Sequence, residues 1–389
     1  MQIINNKALL LKLRHPQQVT TVIPKSRKVD TNNVLVKWGV TESHTLKNLN
    51  INVPSPIKGQ YTWPGQHKPF AHQKDTSAFL TMNRKAFCFN EQGTGKTASA
   101  IWASDFLLKQ GAIKRVLVIC PLSIMDSAWR SDLFSFAMHR SVDIAYGPAD
   151  KRRKIIEGNA EYVIINYDGV AIVQDAIIDG NFDLIIVDEA THYKNAQTTR
   201  WKTLNKILKP DTWLWMMTGT PAAQSPLDAY GLAKLINPNC VPRFFGSFRD
   251  MVMYKISNFK WIPKDSAIDT VFNALQPAIR YTKEDCLDLP DMVYTNREVE
   301  MTRQQQKYYK ELRNRMVVQA AGEEITAVNA AVNMNKLLQI ACGAIYTDKG
   351  HTLEFDIKHR YRVLREVIDE SSQKVLVFVP FKHAISILA

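Results

Sequence analysis

The sequence predicts an α/β protein built on a parallel sheet flanked by helices. Three observations predict it. Apolar runs recur between residues 85 and 221, helix-length amphipathic stretches separate most of them, and a glycine-threaded turn follows the first run. Strands apolar on both faces are what a sheet covered on each side requires. A small N-terminal β-rich extension precedes this body, a helical insertion follows it, and the start of a second α/β lobe closes the chain.

Residues 1–60 form the extension. LLLKLR, NVLVKW and NINVPSPI are short alternating or apolar runs broken by Pro24, Asn32, Asn33, Pro54 and Pro56, which predicts short strands. Lys7, Lys12, Arg14, Lys25, Arg27 and Lys28 make this unit cationic, which fits phosphate contacts and equally fits a solvated accessory sheet. Residues 61–245 carry the strand runs KAFCFN, RVLVICP, EYVIINY, FDLIIVDE and TWLWMMTGTP, with TASAIWASDFLLKQ and SAWRSDLFSFAM as helices between them. Residues 246–345 read as mostly helical, QQQKYYKELRNRMVVQAAGEE being the clearest amphipathic run. Residues 346–389 return to an α/β pattern in KHRYRVLREVIDESSQKVLVFVPFKHAISILA.

A chain of 389 residues predicts two or three domains, and 46% hydrophobic content supplies their cores. The net charge of +13 favours a polyanionic partner such as nucleic acid, although general solubility would produce the same excess. Cysteines 88, 120, 240, 286 and 342 form no CxxC pair and no Cys/His ligand spacing, which argues against zinc and suits reduced thiols. The opening MQIINNKALLLKLRHP is too short to span a membrane and no small-residue cleavage site follows. The expected location is therefore the cytoplasm, without a membrane partner.

The chemistry concentrates in three motifs. In FNEQGTGKT, Gly93 and Gly95 let the backbone around Thr94 curl so that successive N–H groups face an anion at a helix start. Lys96 brings a point charge to the outer phosphates and the Thr97 hydroxyl suits Mg²⁺. Asn90 stands where the usual pattern has glycine, and a glycine turn with a chance lysine is the bland reading. In FDLIIVDEATHYKN, Asp188 and Glu189 end a buried strand, the edge where open α/β sheets hold ligands. Asp188 there suits the magnesium, and Glu189 suits polarising a water. In WLWMMTGTPAAQSPLDAYGL, Thr218 and Thr220 place hydroxyls at a third strand end.

These motifs, in this order, resemble the RecA-like motor ATPases of helicase superfamily two, and within them the Swi/Snf family of double-stranded DNA translocases. PFAHQKDTSAFL looks like the family's glutamine motif, which implies that Gln73 reads adenine. LVICPLSIMDSAW and VIINYDG resemble segments that contact a DNA backbone, implying contacts near Ser123, Asn166 and Tyr167. Lys194 and Asn195 match the basic run after the acidic pair, whereas Thr191 stands where many members have histidine and His192 comes one later. FFGSFRDMVMY, IRYTKEDCLDLPDM and LLQIACGAIY resemble segments leading into the second lobe, so the resemblance covers residues 66–389. The compact size, KWG and YTWPG are similar to versions encoded by bacteriophages, which would place the protein in a bacterial host cytoplasm.

The resemblance implies an ATP- and Mg²⁺-dependent hydrolase acting on double-stranded DNA. Lys96 and Glu189 would be catalytic, Gln73, Gly93, Thr94, Gly95, Lys96 and Thr97 would bind nucleotide, and Thr97 and Asp188 would hold the metal. Thr218 and Thr220 would couple nucleotide state to DNA contacts. Such motors also need an arginine from the second lobe, in a motif resembling Q-x-x-x-R-x-x-R, and none follows residue 345. The expectation is a fragment, or a split protein whose second polypeptide supplies the rest; a minimal one-lobed protein is the alternative. Two other functions stay open: a non-catalytic DNA-binding module that takes ATP as a conformational ligand, and a strand-separating DNA or RNA helicase.

Overall fold

A computed structural model describes residues 1–388 apart from 223, 258–259, 287–292, 323–326 and 347–350, with backbone alone for 315–322 and 327–331. The ends of IRYTKEDCLDLPDM and of QQQKYYKELRNRMVVQAAGEE lie outside the described residues. Two compact units succeed one another, Met1–Leu289 and Pro290–Ala389.

The first unit opens with a four-stranded antiparallel sheet, β1 Gln2–Ile4, β2 Ala8–Lys12, β3 Arg27–Lys28 and β4 Asn33–Lys37, in the order β1-β2-β4-β3. Asn5 and Asn6 close the β1–β2 hairpin with φ of 49° and 53°, a left-handed region that asparagine tolerates better than most residues. Period-two alternation puts Leu9, Leu11, Val34 and Val36 on the inner face, where Val19, Trp38 and Leu46 cover them. NINVPSPI forms no strand: Pro54 and Pro56 lack the N–H a ladder needs, Ile51 and Val53 pack beneath the sheet, and Ile57–Gln60 turns helical.

The seven-stranded sheet that follows is parallel throughout. Its strands are β5 Lys85–Cys88, β6 Val116–Cys120, β7 Val142–Ile144, β8 Tyr162–Asn166, β9 Leu184–Asp188, β10 Trp213–Met217 and β13 Ala278–Ile279, ordered β13-β5-β10-β9-β6-β8-β7. Between β10 and β13 lies a separate antiparallel pair, β11 Met253–Lys255 with β12 Trp261–Pro263. The five apolar runs became the five central strands. The edge strands β7 and β13 escaped the sequence reading because three and two residues leave too little pattern to detect.

Alternate residues of each central strand feed two separate cores, which explains why the runs are apolar without interruption. Phe87, Ile119, Ile165, Val187 and Met216 face one core. Cys88, Val118, Ile164, Ile186 and Trp215 face the other, packed by Ile101, Trp102 and Phe106 of the helix Lys96–Lys109. The helices Thr199–Ile207, Ala229–Ile236 and Phe245–Val252 cover the first face. Burying a large aliphatic or aromatic side chain contributes roughly 1.5–3 kcal/mol, so two closed layers carry most of the stability of this unit.

The second unit holds the helices Arg303–Gly322 and Ala327–Cys342, a hairpin of β14 Ala344–Tyr346 with β15 Thr352–Glu354, and the helices Lys358–Glu370 and Lys382–Leu388. Buried Gln305 ties its first helix to its second by donating to the Ile340 carbonyl at 2.8 Å. KVLVFVP, the apolar run of the segment expected to return to an α/β pattern, forms no ladder among the described residues. Leu376 and Phe378 are 77% and 85% exposed, because an extended run becomes a strand only where a neighbour takes up its backbone groups.

Candidate nucleotide site at the sheet edge

Register brings the motifs together. Met217 of β10 pairs with Cys88 of β5 on one side and with Asp188 of β9 on the other. Cys88 and Asp188 therefore lie two strand spacings apart, about 10 Å. The glycine turn leaves Cys88, TGTP leaves Met217, and the acidic pair ends β9, all at one carboxyl edge. Parity adds a second constraint. Asp188 continues the face of Leu184 and Ile186, the face on which the helix begun by Lys96 packs.

Gly93 and Gly95 have φ of 84° and 78°, and Gly95 leads directly into that helix. A Cβ at Gly95 would collide with the Gln73 amide. The Thr94 hydroxyl donates to the Glu91 carbonyl at 2.7 Å, and Lys96 Nζ reaches the same carbonyl at 3.2 Å. Thr97 sits in the first turn of the helix. Gln73 is buried. Its Oε1 accepts from the Phe70 N–H at 2.9 Å and its Nε2 approaches the Thr94 carbonyl at 3.4 Å, beside His72 Nε2 at 2.8 Å from the same oxygen. The helix Ala71–Thr81 thus braces the turn.

Asn90 has a structural task that accounts for its departure from the usual glycine. It is fully buried, donates to the Thr76 hydroxyl at 2.8 Å and accepts from the Tyr281 N–H at 3.1 Å. One amide side chain therefore joins the turn to the helix in front and to the segment beyond β13.

The Asp188 carboxylate is almost wholly buried, accepting from Trp129 Nε1 at 2.9 Å and from the Glu189 N–H at 3.0 Å. Burial raises its pKa above the ordinary carboxylate value, against the opposing pull of those two N–H groups and of the Lys96 charge. Glu189 has φ 50° and ψ 59°, a left-handed conformation that costs a non-glycine residue about 1–3 kcal/mol and persists only where its surroundings hold it. They do: Glu189 Oε1 accepts from the Thr218 hydroxyl at 3.0 Å and the Thr191 hydroxyl at 3.2 Å. The Thr218 oxygen in turn accepts from the Thr220 N–H at 3.3 Å.

Of the residues assigned to DNA, Ser123, Asn166 and Tyr167 lie along the same edge on the β6–β8 side, and Lys194 lies beyond β9 against the segment that follows β10. Ser123 is exposed in the turn after β6. Asn166, at the end of β8, accepts from Arg152 at 2.9 Å. Tyr167 is buried and its hydroxyl donates to the Asp188 carbonyl at 2.6 Å. Lys194 is held by Gln224 at 2.8 Å and Asp228 at 3.3 Å. His192 packs on Tyr167 with ring centroids 4.6 Å apart, and Arg200 forks onto Asp168 at 2.8 and 2.9 Å.

The donor set fits a magnesium-bound triphosphate. A buried, destabilised carboxylate faces a lysine across the sheet edge, and the glycine turn leaves open space at Gly93, where a Cβ would meet nothing within 4 Å. Among the described residues no trio of His, Cys, Asp and Glu gathers as a ready-made metal cage. Magnesium is held this way, by one or two protein oxygens with phosphates and water completing its shell.

Trp129 is a support that sequence reasoning missed, since nothing in SIMDSAW announces a partner 59 positions later. Its bond favours the ionised form of Asp188, so its contribution is present above the pKa of that group and shrinks as the pH falls through it. Trp129→Phe is expected to lower stability at neutral pH by about 1–3 kcal/mol. Thermal unfolding of the two proteins at stepped pH checks this; the gap should narrow toward acid, and a gap independent of pH would overturn the assignment.

A glycine turn, a helix-starting lysine and an acidic pair at one edge of a seven-stranded parallel sheet define a RecA-like P-loop domain. A model of the SNF2-related domain matches residues 32–345, and the chain belongs to that family, whose members include ATP-dependent helicases and remodelling ATPases. The protein p41 of Acyrthosiphon pisum secondary endosymbiont phage 1 is 25% identical over 75% of this chain and 67% of its own length. An ATP-dependent helicase of Mycoplasma pneumoniae is 26% identical over 75% of this chain, yet the match spans 28% of that helicase. The Sulfolobus solfataricus SWI2/SNF2 ATPase core, solved in complex with double-stranded DNA, superposes with a TM-score of 0.53 at 22% identity, covering 84% of this chain and 70% of that one. Among the described residues no helix is long and apolar enough to cross a membrane.

Proposed function

We propose that the chain is the ATP-binding lobe of a DNA-dependent ATPase that couples hydrolysis to movement on, or remodelling of, double-stranded DNA. The observation that carries this reading is the shared register of Cys88, Met217 and Asp188, which sets the lysine turn, TGTP and the carboxylate pair around one volume. ATP supplies the phosphoanhydride whose hydrolysis drives the cycle, and Mg²⁺ neutralises its charge. The N–H groups of residues 93–97 and Lys96 Nζ hold the phosphates, Gln73 faces the base, and Thr97 and Asp188 hold the metal. Glu189 orients a water and accepts its proton at Oε2, the oxygen not taken by the Thr218 and Thr191 hydroxyls. The Glu189–Thr218–Thr220 chain couples the nucleotide state to the backbone beyond β10. Backbone contacts near Ser123, Asn166, Tyr167 and Lys194 grip DNA without base specificity.

In this reading hydrolysis also uses an arginine of a second RecA-like lobe. Steady-state phosphate release with duplex DNA, single strands, RNA or no nucleic acid tests the proposal, with Lys96→Ala as background. Duplex-specific stimulation is expected. Stimulation by single strands alone would favour a strand-separating enzyme, and none by any polymer would favour the passive nucleotide-responsive module.

A further inference from the structure

The outer face of the N-terminal sheet is not used by this reading, and the segment that forms it is strongly cationic. Residues 1–41 contain seven lysines and arginines against Asp30 alone, a net +6 out of +13 for 389 residues. All seven cations are exposed. Among the described residues no salt bridge joins a carboxylate to any of them; the Asp30 side chain, with Lys28 nearby, is taken up by the N–H groups of Asn32 and Asn33 and by the Asn33 amide at 2.7–2.9 Å. Glu42, at the head of the helix Val40–Asn48, is the next acidic residue.

Register places these charges. Gln2, Leu10, Leu35 and Arg27 form one cross-strand row, with Lys12 and Asn33 in the row on one side and Ile4, Ala8 and Lys37 on the other. Leu9, Leu11, Val34 and Val36 point inward, so by alternation Lys12, Arg27 and Lys37 stand together on the outer face. With strands about 4.8 Å apart and same-face neighbours about 7 Å apart along a strand, Arg27 stands about 8 Å from Lys37 and about 12 Å from Lys12, and Lys12 about 14 Å from Lys37, so the three cations span two to three backbone phosphates. No aromatic side chain stands on that face: Trp38, the only aromatic ring in residues 1–41 apart from His15, is buried and donates to the Pro54 carbonyl at 2.8 Å.

We infer that this face is a second DNA-binding surface, docking on the phosphate backbone of a duplex. Point charges without stacking platforms recognise a polyanion through its phosphates, whereas single-strand binders stack bases on aromatic rings. The surface is separate from the edge that holds the nucleotide site, and needs no hydrolysis to bind.

The test compares the full chain with a K12Q/R27Q/K37Q variant and a charge-keeping K12R/R27K/K37R variant, by anisotropy of a labelled DNA duplex across a salt series. The neutralised variant should bind at least about ten-fold more weakly at moderate salt. Its log–log salt slope should fall by two to three, since each lost phosphate contact removes about 0.9. The charge-keeping variant should match the wild type. Equal affinity and slope for the neutralised variant, an equal loss in the charge-keeping one, or a larger loss on single strands than on duplex would each overturn the inference. So would a loss confined to phosphatidylserine vesicles with duplex binding intact. DNA-independent phosphate release by the K12Q/R27Q/K37Q variant should match the wild type, so a failure of the hydrolysis reading and a failure of this surface give different results.

Discussion

Glu189→Gln is expected to bind ATP as the wild type does and to lose about 10²–10⁴-fold in DNA-stimulated turnover. The substitution keeps the size of the side chain and the amide oxygen that the Thr218 and Thr191 hydroxyls need at 3.0 and 3.2 Å. It removes only the carboxylate's capacity to take a proton from water. The left-handed backbone at φ 50° is unchanged, since Glu and Gln carry the same Cβ. Lys96→Ala should lose turnover by a different route, because nucleotide affinity falls with it. Equilibrium binding of a labelled nucleotide, set beside single-turnover phosphate release, separates the two. Glu189→Gln with near-normal turnover would remove the general base from the proposal, and unchanged nucleotide binding in Lys96→Ala would remove the phosphate assignment.

The parts of this site legible in the sequence were those encoded by short-range pattern. Gly93 and Gly95 announce positive φ, and an apolar run ending in Asp188–Glu189 announces a strand edge. The supports were hidden because they depend on register between distant segments. Trp129 meets Asp188, His72 and Gln73 meet the Thr94 carbonyl, and Asn90 meets Tyr281, each pair joined only once the sheet has assembled. The same limit explains the strand errors. Alternation in NINVPSPI outvoted its prolines in the reading, whereas in the fold two missing N–H groups decided against a ladder. KVLVFVP has strand composition, but composition does not supply a neighbour. Thr191, which stands where many members of the family have histidine, touches the Glu189 carboxylate.

The largest effect of metal and nucleotide on stability should pass through Asp188. Its folded pKa is raised by burial, so the folded chain binds a proton there more tightly than the unfolded chain does. A raised carboxyl contributes stability that is present below its unfolded value and is lost as the pH rises through the folded value. When ionised, the Asp188 carboxylate is a buried charge offset by two N–H donors and the Lys96 charge. Under the proposed function Mg²⁺ with ATP would supply the counter-charge, and a ligand that binds the folded state alone raises stability by about 2.7 kcal/mol at a hundred times its dissociation constant. In a domain of this size that is roughly 5–10 °C in melting temperature. Asp188→Asn should forfeit nearly all of this shift. It should also lack the acid-side gain, so that as the pH falls from neutral the wild type rises relative to the variant when both are free of nucleotide. Melting curves with and without Mg·ATP at each pH measure both effects. A full Mg·ATP shift in the variant would place the metal elsewhere, and parallel pH profiles would show that the buried charge at Asp188 is already compensated by the protein.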